Sequence, residues 1–398
     1  MGDPFEAIVG AAHVEPVVGV RLAGARIAAV VRPGSAEEVA ACLRAANETR
    51  SAVVARGGGS KLHFGNPLDA EECTVLSLER LASHLEVEPE EGIATLDAGV
   101  RIADFGARAA AAGKTTLLPA LHANATLGGT LAADPVGPDW TLDRRARNEV
   151  LGIEVALANG ELAHAGGRVV KNVTGFDLAR LYCGSLGTLG VITRATLRLR
   201  ARPECERLQI AELGSLDAAL ASFARAALAV EPAAAAIAVG ADGVELLTYL
   251  AGVEAAVSLQ AARLPGDPAS LERWTALRAA VAAPPRDRRA RVRLAGRPTD
   301  LGQLARALDG AAGATTEKLA LPLAGALLAD VPESALPALA AAAAELGAVF
   351  AAERAPGADA PTVDVFGAPP DALPLMRALK ARFDPQRVLA PGRFAGWI

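Results

Sequence analysis

The segment Arg56-Gly57-Gly58-Gly59-Ser60-Lys61 constrains the fold of this chain more than any other stretch of it. It follows an apolar run at 51–55 that predicts a buried strand, and the strand must end where three residues without side chains begin. Consecutive glycines let backbone N–H groups face outward into a concavity, while Ser60 adds a donor and Lys61 a positive charge. This composition suits a diphosphate, although a tight turn without a ligand could be built from the same residues.

Two common phosphate-binding motifs do not fit this segment. A P-loop requires Ser or Thr directly after its lysine, whereas Lys61 is followed by Leu62. A Rossmann turn requires G-x-G-x-x-G leading directly into a helix, with an acidic residue about 20 positions further on. The sequence therefore disfavours an NTPase and does not match a Rossmann fingerprint here.

Two further glycine-rich segments follow. Glycine and polar residues recur throughout 119–151. This stretch is too long for a simple connection, which indicates a functional loop region. Its paired glycines would let a flat, bulky ligand lie against the backbone. At 184–190 small residues precede an apolar strand, so the chain can pass very close to another group there. For each segment a purely structural loop is the alternative.

The length of 398 residues predicts two packed units. Residues 1–203 are expected to alternate strands and helices, including a helix at 36–49 behind an N-capping Ser35. Residues 204–372 are rich in alanine and predict a smaller, helix-rich αβ unit, and 373–398 is expected to return to the first unit. The predicted fold class is α+β. Strands are predicted at 25–31, 93–98, 151–158, 191–199, 236–239, 244–249 and 291–294, and further helices at 102–112, 338–346 and 375–383.

Composition excludes some classes of function. The formal net charge of −5 and the pI near 5.7 argue against a nucleic-acid binder, which normally carries a basic domain. One basic cluster at 284–297 is either a solvated loop and strand edge or a docking patch for a partner or an anionic membrane surface. Nothing at the N-terminus resembles a signal peptide, and no apolar run approaches the roughly 20 residues that span a bilayer. We therefore expect a cytoplasmic protein.

The cysteines predict no metal centre. Cys42, Cys73, Cys183 and Cys205 lack Cys-x-x-Cys spacing, so neither a zinc site nor an iron–sulfur cluster is expected in this chain. Reduced thiols agree with the cytoplasmic expectation.

The three glycine-rich segments in this order resemble the FAD-binding domain of the vanillyl-alcohol-oxidase/p-cresol-methylhydroxylase superfamily. The resemblance covers residues 25–203 and the C-terminal 383–393. Within the superfamily, the run from Gly166 to Leu178 and the pair Gly184-Ser185 are more similar to the E-type FAD subunits of bacterial glycolate oxidase than to free-standing members.

This resemblance implies a two-subdomain FAD-binding domain followed by a cap domain. It implies that Arg56–Lys61 hold the FAD diphosphate, that Thr126–Ala132 line the diphosphate and the flavin, and that Gly187–Ile192 contact the flavin or the adenine through the backbone. The cofactor-binding positions that the resemblance implies are Arg56, Gly57, Gly58, Gly59, Ser60, Lys61, Pro119, Thr126, Gly128, Gly129, Thr130, Ala132, Gly187, Gly190, Val191 and Ile192. Covalent members attach the flavin through a histidine just after the triglycine or through a cysteine in the second segment. This chain has Ser60 and no cysteine at those places, so we expect FAD to be bound non-covalently.

The histidines bear on the reaction. In metal-assisted 2-hydroxy-acid dehydrogenases of the superfamily, histidines and an acidic residue of the second domain carry a divalent ion. The histidines here are His13, His63, His84, His122 and His164, and since none lies beyond position 164, we expect no such metal site. We therefore interpret the chain as an FAD subunit that oxidises glycolate or a related 2-hydroxy acid. Its expected partners are a D-type flavoprotein and an iron–sulfur subunit, through which the complex would reach the inner membrane.

Several alternatives stay open. The chain could be a self-sufficient FAD-dependent dehydrogenase with an arginine-lined pocket, or a non-enzymatic assembly subunit. The catalytic base is not assigned, because His63 and His122 could each be a base or a loop hydrogen-bonder. Lys171 and Asp177 could form an ion pair or a helix cap, or could tune the flavin. Arg393 could approach the flavin ring from the tail.

Overall fold

A computed structural model describes residues 4–119, 121–142, 144–168, 177–285, 288–355 and 363–398. In the first half of this part of the chain the strands are β1 (Val14–Pro16), β2 (Arg21–Leu22), β3 (Ala25–Val31), β4 (Ala52–Arg56), β5 (Glu72–Ser77), β6 (Leu85–Glu88), β7 (Ile93–Asp97), β8 (Lys114–Thr115), β9 (Val150–Ala156), β10 (Leu162–Gly166), β11 (Val191–Arg198) and β12 (Arg200–Ala201). The helices there are α1 (Glu6–Val9), α2 (Ala36–Thr49), α3 (Ile102–Ala111), α4 (Leu127–Ala133), α5 (Ala146–Glu149) and α6 (Leu178–Tyr182).

The second half of the described chain also mixes strands and helices. Its strands are β13 (Cys205–Leu213), β14 (Ala234–Gly240), β15 (Gly243–Gly252), β16 (Asp267–Ala269), β17 (Arg289–Ala295), β18 (Lys318–Leu321), β19 (Ala326–Pro332) and β20 (Val349–Arg354). Its helices are α7 (Leu216–Ala226), α8 (Glu254–Ala261), α9 (Leu271–Ala282), α10 (Leu301–Ala312), α11 (Leu336–Glu345) and α12 (Leu373–Phe383). Short 3-10 turns lie at Ala11–His13, Leu78–Arg80, Pro298–Asp300, Glu333–Ala335 and Ala395–Trp397.

The first sheet has the order β1-β3-β5-β4, with β2 paired to β3. Strands β3, β5 and β4 are parallel, and α2 connects β3 to β4. The helix begins behind Ser35, whose Oγ accepts a hydrogen bond from the Glu38 N–H at 3.1 Å. It ends at Arg50, which takes a left-handed φ of 55°. An N-cap of this kind stabilises a helix by about 1 kcal/mol. The predicted helix at 36–49 is confirmed.

The second sheet is antiparallel, with the order β10-β9-β11-β7-β6. One core joins it to the helices, because Leu43 of α2, Leu127 of α4, Leu96 of β7 and Leu197 of β11 are all fully buried in the same cluster. The sequence predicted β7, β9 and β11 but not the edge strands β6 and β10. Both edge strands are short and only partly buried, so each offers too brief an apolar pattern for a prediction.

The second half of the described chain, which we call the cap, contains an eight-stranded antiparallel sheet that spans residues 205–354. Its strand order is β16-β13-β15-β14-β18-β19-β17-β20. One face packs on α7, α10 and α11 through Phe223, Leu304 and Leu339. On the other face Trp274 of α9 stacks on Tyr249 of β15, with 5.4 Å between the ring centroids. The sequence predicted β14, β15 and β17 but missed β13 and β18–β20. Strands β19 and β20 are rich in alanine or leucine, which favour helices in isolation, and burial in the sheet overrides that preference here.

Two contacts fix the cap and the tail to the first half. The Asp139 carboxylate accepts hydrogen bonds from Trp274 Nε1 at 3.0 Å and from two nitrogens of Arg278 at 2.6 Å each, so the segment after α4 is tied to α9. In the tail, Val53 N–H donates to Val388 O at 2.7 Å and Ala390 N–H donates to Val53 O at 2.8 Å. The tail thus runs parallel to β4, and the predicted α+β class with a returning C-terminus is confirmed. Within the described ranges, no helix is long and apolar enough to cross a membrane.

Candidate functional site

The triglycine turn lies against the second glycine-rich segment. β4 ends at Arg56, and a Cβ added to Gly57 would lie 2.0 Å from Thr126 Oγ1. A Cβ on Gly58 would lie 1.6 Å from the carbonyl oxygen of Asn124, and Gly59 has a φ of 76°. Only glycine fits these distances and this left-handed φ. The structure therefore brings together the first two segments that the sequence singled out.

The second segment contains a short helix, α4. The Thr126 side chain accepts a hydrogen bond from the Gly129 N–H at 3.4 Å and caps the helix. Gly128 packs on the end of β7, because a Cβ there would lie 2.8 Å from the Ala98 Cβ. Thr130 is buried in the same helix. The sequence had suggested a loop from 119 onward, and the Thr-x-x-Gly spacing at 126–129 was the signal for a helix start.

The third segment joins the far end of α4. The Gly184 N–H donates to Leu131 O and the Leu186 N–H donates to Ala132 O, each at 2.9 Å. Gly190 fits closely against β9, since a Cβ there would lie 2.4 Å from Val155 Cγ1. The residues that complete this segment are Gly187, with a φ of 75°, and Val191 and Ile192, which are buried at the start of β11. All three glycine-rich segments are therefore contiguous in space.

Two cavities adjoin these segments. A small one of about 10 Å³ is lined by Ser60, Lys61, Pro119, His122, Gly129 and Thr130, among other residues. A larger one of about 670 Å³ lies between the first half and the cap. Its walls include Lys61 after the triglycine turn, Asp134 after α4 and Gly184 of the third segment, together with Arg293 and Glu353 of the cap. The volume is in the usual range for a small-molecule site.

A carboxylate of the cap binds two residues that follow the triglycine turn. Glu353 on β20 accepts hydrogen bonds from Lys61 Nζ at 2.6 and 2.9 Å and from His63 Nε2 at 2.7 Å. Burial raises the pKa of the Glu353 carboxyl, but the hydrogen bond from His63 and the charge of Lys61 outweigh burial and lower this pKa to about 2. Glu353 is therefore ionised and neutralises Lys61, whose predicted contact with a diphosphate stays a prediction.

Four arginines line the larger cavity: Arg145, Arg147, Arg291 and Arg293. Arg291 pairs with Asp330 at 2.7 Å. Arg145 pairs with Asp134, and the guanidinium carbons of Arg145 and Arg293 lie 5.1 and 5.9 Å from the centroid of the Trp140 ring. Arg147 of α5 and Arg293 of β17 have no carboxylate partner in the part of the chain that the structure describes. Burial lowers the pKa of both, and for Arg147 the neighbouring charge of Arg145 lowers it further. Positive charges held without partners favour an anionic ligand.

The cavity also concentrates unpaired buried polar atoms. Among the described residues, the buried side-chain atoms that have no hydrogen-bond partner include four that line the larger cavity, Asp134 Oδ1, Arg145 Nε, Arg147 Nε and Arg293 Nε, and one, His122 Nε2, that lines the small cavity. Buried polar groups without partners are costly, each by about 1–3 kcal/mol. Such a set next to three Cβ-free backbone segments fits a polar, anionic cofactor and an anionic substrate.

His122 lies beside the first two glycine-rich segments and has the properties of a neutral imidazole. Burial lowers its pKa below the ordinary value of 6.5, and the charge of Lys61 lowers it further. His63, by contrast, is bound to Glu353. The sequence suggested both histidines as candidates, and only His122 keeps a buried ring nitrogen without a partner in the described chain.

Other charged candidates have structural partners. The Asp177 carboxylate accepts from the Arg180 N–H at 3.3 Å and pairs with the Arg180 side chain at 2.9 Å, so it caps α6. Lys171 lies outside the described residues, as do 169–176 in general. Arg393 donates to backbone carbonyls rather than to a carboxylate. Within the described ranges, no group of three or more His, Cys, Asp or Glu side chains could hold a metal ion.

The sequence missed the arginines of the cavity. It had placed the basic cluster at 284–297 on a solvated loop and strand edge or in a docking patch. In the structure β17 is an inner strand between β19 and β20, so the strand-edge interpretation was wrong. Its period of two buries Ala290, Val292 and Leu294 in the core and turns Arg291 and Arg293 toward the cavity.

Comparison with known proteins agrees with the geometry. Residues 27–166 match the family model described as "FAD binding domain". A D-lactate dehydrogenase of Archaeoglobus fulgidus is 39% identical over 43% of this chain and 38% of its own length. Glycolate oxidase subunit GlcD of Bacillus subtilis is 33% identical over 48% of this chain and 41% of its own length. Glycolate oxidase subunit GlcE of Escherichia coli is 29% identical over 44% of this chain and 49% of its own length.

These alignments cover less than half the length of each of the three relatives. A solved structure of alkyldihydroxyacetonephosphate synthase covers 92% of this chain and 77% of its own, with a TM-score of 0.69 at 15% identity. That likeness concerns the fold and confirms the predicted architecture. The match to the FAD model confirms the predicted cofactor, while the E-type relative is one of several and is less identical than the dehydrogenase. Residues 27–166 of this chain are thus similar to an FAD-binding domain.

Proposed function

We propose that this chain takes part in the FAD-dependent oxidation of a small 2-hydroxy acid and binds the substrate carboxylate through Arg147 and Arg293. The observation that carries the proposal is that both guanidiniums, one from each half of the chain, line the same cavity of about 670 Å³. The cavity is also bordered by residues next to all three glycine-rich segments, which supports an anion site beside the FAD domain.

Each of the residues around the proposed substrate has a separate role. Arg147 and Arg293 bind and orient the carboxylate, and Trp140 holds Arg293 by stacking at 5.9 Å. His122 Nε2 accepts the proton of the substrate hydroxyl, since its lowered pKa keeps it neutral at physiological pH. The chemistry that FAD supplies when bound is acceptance of a hydride from the α-carbon. The glycine turn and the backbone around Thr126 and Gly187 would hold the cofactor without covalent attachment.

We propose further that the chain works as one subunit of a complex with a D-type flavoprotein and an iron–sulfur subunit. The similarity to proteins named as glycolate oxidase subunits GlcD and GlcE supports this proposal. It also agrees with the histidine-poor second half, which offers no metal-binding group among the described residues. Glycolate is the first substrate to test.

A second candidate is a self-sufficient dehydrogenase. It is compatible with the same arginine-lined cavity, because all residues that line this anion site belong to the one chain. The two candidates differ in their electron acceptor: an iron–sulfur partner in the first and a diffusible acceptor in the second.

The experiment compares the chain purified alone with the chain co-purified with its partners. The proposal predicts a yellow protein in both cases and glycolate-dependent reduction of an artificial acceptor mainly in the complex. Steady turnover by the isolated chain would favour the self-sufficient dehydrogenase. A colourless chain that ignores added FAD would exclude both.

A further inference from the structure

A lysine buried in the C-terminal helix binds the third flavin segment directly. Lys380 of α12 has a side chain only 6% exposed, and its ammonium donates three hydrogen bonds. The acceptors are Thr188 O at 2.8 Å, Asp384 Oδ2 at 2.6 Å and Leu389 O at 2.7 Å. An ammonium has three protons, so each of its donors is satisfied.

The partner of this lysine ties the tail to the same point. Asp384 is fully buried and also accepts hydrogen bonds from the N–H groups of Val388 at 2.9 Å and Leu389 at 2.8 Å. One ion pair therefore holds α12, the tail beside β4 and the turn at Thr188. That turn lies between Gly187 and Gly190, the two glycines of the third flavin segment.

A second cation of the tail binds the loop after the triglycine turn. Arg393 is 5% exposed and donates to Asn66 O at 2.9 Å and to Leu62 O at 2.8 Å, and also to Phe64 O. It has no carboxylate partner among the described residues, and burial lowers its pKa to about 10. A buried guanidinium bound only to carbonyls is costly, so a packing role alone could be filled by an apolar side chain.

The two cations share one geometric effect. Lys380 binds the third segment at Thr188, and Arg393 binds the loop at 62–66, so the tail contacts one of the three glycine-rich segments and the loop that directly follows another. Breaking a buried ion pair leaves a stranded carboxylate, which is strongly destabilising. The backbone carbonyl of Thr188 would lose its partner in the same step.

We propose that Lys380 and Arg393 are positioning residues of the FAD site, and that ordering of the C-terminal tail is thermodynamically coupled to FAD binding. The proposal rests on the assignment of the FAD domain and not on the substrate proposed above. It predicts that the tail and the cofactor stabilise each other although neither cation needs to touch the flavin.

The test uses the full chain with Lys380→Met and Arg393→Met. Arg382→Met is the matched control for the lysine, because Arg382 lies on the same helix and is exposed. The FAD dissociation constant is measured by quenching of flavin fluorescence on apo-protein, and hydrogen exchange is followed in peptides covering 184–193. We expect Lys380→Met to weaken FAD binding at least about tenfold and to speed exchange at 188–190. The control should match the wild type in both readouts.

A second variant separates positioning from stability. Lys380→Met with Asp384→Asn removes both charges, while the single amide oxygen can still accept from one of the two tail N–H groups that Asp384 binds. The double variant should regain part of its thermal stability relative to Lys380→Met but keep the weakened FAD binding, since Thr188 O still has no donor. Leu304→Ala, which lowers stability in the cap core, should leave FAD affinity unchanged.

Three results would overturn the proposal. They are FAD affinity of folded Lys380→Met within about twofold of the wild type, recovery of FAD affinity together with stability in the double variant, and a wild-type chain that binds no FAD. A chain that binds FAD normally but oxidises no 2-hydroxy acid would refute the proposed function and leave this inference intact.

Discussion

The ammonium of Lys61 and the carboxylate of Glu353 join the loop after the triglycine turn to strand β20 of the cap at 2.6 Å. Both side chains are 14% exposed, so the pair is shielded from solvent. The two residues are 292 positions apart in sequence, so their contact helps to hold the cap against the FAD domain.

This contact predicts a pH dependence of stability. The pKa of Glu353 is lowered from the ordinary value of 4.5 to about 2, so the folded state binds its proton less tightly than the unfolded chain. The resulting stability is complete above about pH 5 and is lost as the pH falls toward 2. Glu353→Gln should lower the free energy of unfolding by about 1–2 kcal/mol at pH 7 and by less at pH 3. Urea unfolding at the two pH values measures the difference.

Glu245→Gln is the control for that variant, because Glu245 forms an exposed pair with Arg273. Surface pairs contribute about 0–1 kcal/mol, so its effect should be small at both pH values. An equal loss for Glu353→Gln at pH 3 and pH 7 would contradict the assigned role of the carboxylate.

The arginine pair predicts a binding defect. Arg293→Met and Arg147→Met should each raise KM for a 2-hydroxy acid by about tenfold or more, because a charge-assisted hydrogen bond to the carboxylate is lost. The visible spectrum of the bound flavin should not change. Arg289→Met serves as the control, since Arg289 lies on the same strand but is exposed. Unchanged KM in both cavity variants would refute the carboxylate site.

His122 predicts the shape of the pH–rate profile. A general base must be neutral, and the lowered pKa of His122 means that kcat/KM should fall only below pH 6.5 and stay level above it until another group titrates. His122→Gln should lower kcat by about 100-fold or more and abolish that acidic limb. A variant that keeps the limb would show that another group is the base.

Two glycine substitutions, one in the triglycine turn and one in helix α3, should have opposite effects. In Gly58→Ala the new Cβ would lie 1.6 Å from Asn124 O, so the turn must move away from the second segment and FAD binding should be lost. Gly106→Ala is the control. A Cβ at Gly106 in α3 meets nothing within 4 Å, and alanine there should stabilise the helix by about 0.5–1 kcal/mol. Wild-type FAD affinity in Gly58→Ala would contradict the contact.

The sequence revealed the three glycine-rich segments because their requirement for glycine is local. Glycines with positive φ or without room for a Cβ must appear in the sequence wherever two backbones meet, as at Gly58 and Gly190. The helix α2 was likewise predictable from its own cap at Ser35. These features need no knowledge of distant contacts.

The substrate side could not be predicted in the same way. Arg147 and Arg293 line the same cavity only because β17 is an inner strand of the cap sheet. Nothing in the local sequence pattern determines which strands are the neighbours of β17. Glu353 lies in a strand with the sequence Val-Phe-Ala-Ala-Glu-Arg, within a half whose alanine content favours helices. Lys380 and Thr188 are 192 positions apart, so their hydrogen bond is visible only in the fold.

The central claim is that this chain holds FAD non-covalently and that a 2-hydroxy acid bound at Arg147 and Arg293 reduces it. The most direct measurement is an anaerobic visible spectrum of the chain, purified with its partners, before and after addition of glycolate. We expect the flavin band of the wild type to bleach on addition of glycolate, and bleaching of Arg293→Met to require more glycolate. The flavin itself should be released into the supernatant when the protein is denatured. A chain without a flavin band, or a band that no 2-hydroxy acid bleaches, would contradict it.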